Sequence, residues 1–155
     1  MATNFLWGTG VAGITLLGAE LNSLTDGSGT AYGTEFGGAN DYQLGILWLH
    51  LASNSLAFTA GSHIDVFFVS STTPNAASGA YPTYTSGAYK LAESNYLVAS
   101  IAINPATQSA NVVNETYVDV RIPMGFKQPI IVNHTGVTLP SSGNTLTLYP
   151  TPTQY

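Results

Sequence analysis

Cysteine is missing from this 155-residue chain and basic residues nearly so: three Lys and Arg stand against eight Asp and Glu, a formal net charge of −5. The first absence excludes a disulfide framework, a thiolate nucleophile and Cys-ligated zinc. The second excludes a phosphate-backbone interface, which needs clustered cations. Lys90, Arg121 and Lys127 cannot line a basic groove, so nucleic acid is not an expected partner. Long apolar runs are missing too. The longest, Leu44 to Ala52, is interrupted by His50 and falls far short of the ~20 residues that span a bilayer, so no membrane partner is expected. No Lys- or Arg-bearing region precedes an apolar run near the start, so a secretory signal is not expected.

Charged residues of either sign are scarce, at 7% of the chain against an average of roughly 25%. Disorder goes with low hydrophobicity and high charge, and here 45% of residues are hydrophobic, so the chain is expected to fold. Its solvent face must then be covered by neutral polar residues, and 19 Thr, 14 Ser and 11 Asn are available for that. A surface so poor in charge has little electrostatic protection against association. This composition fits a protein much of whose surface is covered in an assembly.

The pattern along the chain is one of short β-rich runs punctuated by Gly, Pro, Asn and Ser. Val11 to Leu17 reads as a strand, Glu20 to Leu24 as a single helical turn, and Thr25 to Thr34 as a Gly-rich loop. Tyr42 to Leu51 is apolar on both faces, and Asn54 to Phe58 is short, a strand or a loop. His63 to Ser70 alternates, with Ile64, Val66 and Phe68 on one face and His63 and Asp65 on the other. The second face turns apolar at Phe67 and Val69, so that end is expected to be buried twice. Asn95 to Asn104 places Leu97, Ala99, Ile101 and Ile103 on one face, and Val112 to Ile122 does the same with Val112, Asn114, Thr116, Val118 and Val120. Pro129 to Asn133 and Thr145 to Tyr149 complete the set.

Seven or eight strands with turn signals roughly every 8–12 residues, and no amphipathic helix between them, exclude a helix-connected parallel sheet. They predict an all-β antiparallel sandwich, with the jelly roll favoured over the immunoglobulin-like alternative by the strand number. The expected organisation is an N-terminal arm over 1–10, a single sandwich domain over 11–149 with a long Tyr/Pro/Gly loop at 72–90, and an extended C-terminal tail over 150–155, where Pro150 and Pro152 disfavour helix.

Motifs that carry chemistry are sparse. His63 and Asp65 project from one strand face; a zinc site would need a third ligand, from His50 or His134, and the plainer reading is an ordinary His–Asp pair, with His50 and His134 structural. The eight acids show no glycosidase-like pairing, and Asp119 with Arg121 reads as a partly exposed ion pair of little energetic worth. Gly-x-Ser-x-Gly is absent. Asp26-Gly27-Ser28-Gly29-Thr30 begins like a calcium loop but has Gly37 where the bidentate acid belongs, which leaves a Gly-rich turn. No catalytic residue, metal or cofactor is assigned. Two sequons, at Asn114 and Asn133, read as chance in a chain this rich in Asn and Thr.

Aromatic side chains are the stronger signal. Tyr81, Tyr84 and Tyr89 fall in the polar loop, Phe5 and Trp7 precede the first strand, and Tyr149 and Tyr155 flank the proline tail. Tyr and Trp supply large contact area at small entropic cost. These seven residues are therefore the candidate interface.

Asn4-Phe5-Leu6-Trp7-Gly8-Thr9, Glu20-Leu21-Asn22-Ser23-Leu24, and the stretch from Val132-Asn133-His134-Thr135-Gly136 through Leu139-Pro140-Ser141-Ser142-Gly143-Asn144-Thr145-Leu146 to Pro150 and Tyr155 resemble a family of structural proteins encoded among the head genes of tailed bacteriophages, the capsid decoration or cement proteins. The resemblance covers both ends and the strand spacing between them; the loop from Pro74 to Lys90 matches least. It implies a jelly-roll-like sandwich without an active site, made in the bacterial host cytoplasm and carried on the capsid exterior of the virion. It further implies a dimer or trimer on a symmetry axis that binds the major capsid protein of a tailed phage. A receptor- or carbohydrate-binding module of a phage tail or spike, and a jelly-roll coat subunit that assembles by itself, are the competing expectations; an enzyme is the weakest.

Overall fold

The computed structural model describes residues 12–37, 44–54, 56–71, 97–103, 112–123 and 125–151. The expected N-terminal arm, the 72–90 loop and most of the tail lie outside these residues. Among the described residues eight strands follow one another: β1 Ile14–Leu17, β2 Phe36–Gly37, β3 Leu44–Asn54, β4 His63–Ser71, β5 Leu97–Ala102, β6 Val112–Arg121, β7 Phe126–His134 and β8 Thr145–Thr151. The helical turn expected after β1 is a 3₁₀ turn at Ala19–Leu21, its Leu21 buried in the core.

The pairing follows one rule. β1 pairs with β8, β2 with β7, β3 with β6 and β4 with β5, all antiparallel. This is one long hairpin folded on itself, and two further ladders, β3 with β8 and β4 with β7, roll it into two sheets of order β1-β8-β3-β6 and β2-β7-β4-β5. That is the jelly-roll connectivity of two interlocked Greek keys. The expected antiparallel β-sandwich is therefore present.

The core lies between the sheets. Leu47, Leu49 and Leu51 of β3 and Leu146 and Leu148 of β8 face Ile64, Val66 and Phe68 of β4, Ile101 of β5 and Ile131 of β7, all buried. Phe68 meets Phe36 edge-on, ring centroids 4.9 Å apart at 74°, the geometry that places a positive ring edge on a negative face. The apolar end of β4 is buried on both faces as its pattern predicts: Phe67 and Val69 pack with Ile130 and Val132 of β7 in a second cluster on the outside of the β2-β7-β4-β5 sheet, with Tyr32 against it.

Some details differ from the sequence reading. β1 begins at Ile14, just after Gly13, where an added Cβ would stand 2.7 Å from the Tyr149 ring; Val11 lies outside the described residues. β2 is two residues long and carries one core side chain, too little for a period to register. Leu97 does not share the buried face of Ala99 and Ile101 but is 46% exposed, because the β4–β5 register slips between Val66 and Phe67. Asp119 and Arg121 form no ion pair; two residues apart on one strand they stand roughly 7 Å apart and project in parallel. Lys127 is buried, donating to the Gly125 carbonyl and lying 6.0 Å from the centroid of the Phe36 ring.

The loops are locked by amides. The Gly-rich turn after Thr25 runs beside β7: Gly27 N–H donates to the Asn133 carbonyl at 2.7 Å, Asn133 N–H to the Ser28 carbonyl at 3.0 Å, and Thr30 N–H to the Ile131 carbonyl at 2.8 Å. Asp26 accepts from Gly136 N–H at 2.8 Å, so the turn is a structural clasp. Asn133, of the second sequon, is fully buried with its side-chain nitrogen donating to the Leu24 and Val137 carbonyls. That amide is committed within the fold.

Candidate functional site

Two outward faces carry unusual side chains. The first is the outside of the β1-β8-β3-β6 sheet. Period-2 alternation puts Leu47, Leu49 and Leu51 inward, so Leu44, Ile46, Trp48 and His50 point outward. Register sets their neighbours: Tyr117 of β6 stands opposite Trp48, and Tyr149 of β8 opposite Ile46. Tyr117, Trp48 and Tyr149 form a row across three strands, with ring centroids 6.2 Å apart for the first pair, planes inclined 13°, and 6.4 Å for the second. Tyr117 is 62% exposed, and Leu44, Ile46 and Tyr149 are exposed as well. The Trp48 indole N–H is buried without a hydrogen-bond partner.

Charge sits at the border of this face. Glu115, Asp119 and Arg121 lie outward on β6, an edge strand, and threonines lie opposite on β8. Charges on an edge strand oppose edge-to-edge aggregation. His50 Nδ1 lies 3.2 Å from Glu115 Oε1, a partly exposed pair. An aromatic and aliphatic centre with a polar rim is the anatomy of a protein-binding surface.

The second face is the outside of the β2-β7-β4-β5 sheet near one end. His63 of β4 stands opposite His134 of β7, their rings 5.0 Å apart and inclined 26°. Asp65, two residues along β4, lies between them: Oδ1 is 3.9 Å from His63 Nε2 and Oδ2 is 3.7 Å from His134 Nε2. Of the two histidines weighed as a partner for His63 and Asp65, His134 is brought in and His50 is on the other sheet. Ser62, next to His63, is not poised as a nucleophile: its hydroxyl donates to the Thr135 carbonyl at 2.8 Å and accepts from Thr59 N–H. A depression of about 290 Å³ adjoins His134, lined by Asp26, Ser62 and Gly136 among others.

Of the seven candidate interface residues, Tyr149 lies in the aromatic row; Phe5, Trp7, Tyr81, Tyr84, Tyr89 and Tyr155 lie outside the described residues. Trp48 and Tyr117 were not picked out by sequence. Among the described residues no helix is long and apolar enough to cross a membrane. The chain matches no family model, no curated protein and no solved structure with which it was compared.

Proposed function

We propose that this chain is a non-enzymatic virion structural protein that decorates and stabilises the head shell of a tailed phage by binding its major capsid protein. The observation that carries the reading is the row Tyr117–Trp48–Tyr149, exposed at both tyrosines and partly at Trp48, with Leu44 and Ile46 exposed beside it. Such a row on a rigid sheet gives a partner contact area that needs no ordering on binding. The scarcity of charge fits a surface that is covered in the mature particle, and the resemblance of both chain ends to head decoration proteins supports a capsid partner. Closed symmetry, as a dimer or trimer, multiplies a modest contact.

Co-sedimentation with heads of the encoding phage tests it. The protein is expected to pellet with heads. Trp48→Ala with Tyr117→Ala is expected to weaken binding at least about 30-fold, the equivalent of one hot spot of about 2 kcal/mol. Protein that stays in the supernatant overturns the reading. The same row favours one second reading, a glycan-binding module, because aromatic faces stack on sugar rings. Glycan binding lost in the same variant, without affinity for heads, would establish that reading instead.

A further inference from the structure

We propose that His63, Asp65 and His134 bind one divalent transition-metal ion of the Zn²⁺ class on the outer face of the β2-β7-β4-β5 sheet. The donor set is two imidazole nitrogens and a carboxylate, drawn from two adjacent strands, and its ligand atoms all lie within 4.8 Å of one another. Two His and one carboxylate suit Zn²⁺ and its first-row neighbours, with the remaining positions left to water or an external ligand.

The hydrogen bonding around the cluster argues for a cation. His63 Nδ1 lies 2.8 Å from the Gly61 carbonyl oxygen, which can only accept. Nδ1 therefore carries a proton, and in the neutral ring Nε2 presents a lone pair. That lone pair faces Asp65 Oδ1, itself an acceptor, buried and without a hydrogen-bond partner. Two acceptors face each other with nothing donated between them. A carbonyl that fixes the far nitrogen of an imidazole is the usual outer support of a metal-ligating histidine.

Either a proton or a metal ion could fill the gap, and the distances choose between them. A proton shared between N and O draws the atoms to about 2.7–2.9 Å. The gaps here are 3.9 and 3.7 Å. Donors at Zn–N and Zn–O lengths of about 2.0–2.1 Å stand ~3.3 Å apart in a tetrahedron and at most ~4.2 Å apart across the ion; the two His–Asp gaps, each to a different carboxylate oxygen, fall inside that window, and the set as a whole, within 4.8 Å, closes on the ion by small side-chain rotations. Both histidines are half-exposed and the depression beside His134 is open to solvent, so an ion can enter and keep an exchangeable ligand. Bound there, it would tie β4 to β7 at the end where the loop from Thr59 to Ser62 leaves the sheet.

Chelator-treated, tag-free protein titrated with Co²⁺ and with Zn²⁺ tests this. Expected are visible Co²⁺ d–d bands that saturate at one ion per chain, displacement of Co²⁺ by Zn²⁺, and a rise in melting temperature with metal. Asp65→Asn, which keeps shape, and His134→Gln, on an exposed side chain, are each expected to weaken binding more than about 100-fold, beyond the loss typical of an outer-support residue. His50→Gln is expected to bind as the parent does. No saturable Co²⁺ or Zn²⁺ binding by the parent protein up to millimolar metal overturns the proposal, whatever the variants do. So does undiminished binding in both cluster variants.

Discussion

Asn133 is the residue on which most of the loop architecture converges, and its removal can be worked out bond by bond. Its Nδ2 donates to the Leu24 carbonyl at 2.9 Å and the Val137 carbonyl at 2.8 Å; its Oδ1 accepts from Thr135 N–H at 3.0 Å and the Thr135 hydroxyl at 2.7 Å. Asn133→Ala deletes all four. The losses are unequal. The Leu24 carbonyl still accepts from Leu139 N–H at 3.0 Å, and the Thr135 hydroxyl can turn to the Val137 carbonyl, 3.1 Å away. Thr135 N–H has no such substitute, and Thr135 is buried. One orphaned donor at about 2 kcal/mol and two bonds lost outright at about 1 kcal/mol each total about 4 kcal/mol. For a domain of this size that lowers the melting temperature by about 8–16 °C.

Thermal denaturation followed by calorimetry checks the magnitude, and amide hydrogen exchange checks the mechanism. Thr135 N–H is expected to pass from strongly protected to fast, while the β3 amides, bonded on both sides, keep their protection relative to global unfolding. Asn133→Asp is expected to be at least as harmful, since it retains the acceptor but sets a carboxylate oxygen against two carbonyls. A fall under about 3 °C for Asn133→Ala would refute the reasoning, because it would mean that water or rearranged loops satisfy these groups at almost no cost.

Three further substitutions span the range of expected effects. Gly33→Ala places a Cβ 2.6 Å from Leu17 Cδ2 and 2.7 Å from Pro129 Cγ, with the Leu16 carbonyl oxygen closer still; backbone must move, and a loss of about 2–3 kcal/mol is expected in urea denaturation. Phe68→Ala empties the centre of the core and breaks the edge-on contact with Phe36, for a loss of about 3–5 kcal/mol in the same assay. His50→Gln removes only a partly exposed pair with Glu115 and is expected to shift stability by less than about 1 kcal/mol; a larger loss would show that His50 carries packing that its position on the outer face does not imply.

The strands were legible because their inward positions keep a period of two through β3, β4, β5 and β8. Their pairing was not, since nothing local records that β1 lies beside β8, more than a hundred residues away in sequence. The exposure of Leu97 and the brevity of β2 are likewise consequences of register and of neighbours. Lys127 shows the same limit from the other side: nothing in its local sequence marks a cation for burial, yet the Gly125 carbonyl and the Phe36 ring receive it inside. The two buried amides were visible only as members of the motifs that carry the resemblance. Asn144 joins Asn22, Pro140 and the Ala52 amide much as Asn133 joins Leu24 and Val137, so those segments act as loop locks.

Of the aromatic row only Tyr149 was singled out from sequence; Trp48 and Tyr117 escaped for a specific reason. β3 and the end of β4 are both apolar on two faces, and composition alone treats them alike. Their partners do not. The outward Ile130 and Val132 of β7 pack with Phe67 and Val69 of β4, with Tyr32 against them, so at that end apolar meets apolar and the face is closed. The outward residues of β6 opposite Leu44, Ile46 and His50 are Arg121, Asp119 and Glu115. Three charges among the four outward positions from Glu115 to Arg121, with Tyr117 the fourth, mark a face open to water, so Leu44 and Ile46 of β3 beside them are displayed rather than buried. The signal was present in Val112–Arg121 but had no meaning until the β3–β6 register was known. The same dependence left the third partner of His63 and Asp65 open between His50 and His134, because only the β4–β7 ladder brings His134 to them. In a jelly roll, then, each outer face is composed by strands distant in the chain. Contact chemistry on one face and metal-ligating chemistry on the other can vary independently as long as the inward leucines and isoleucines hold the two sheets together.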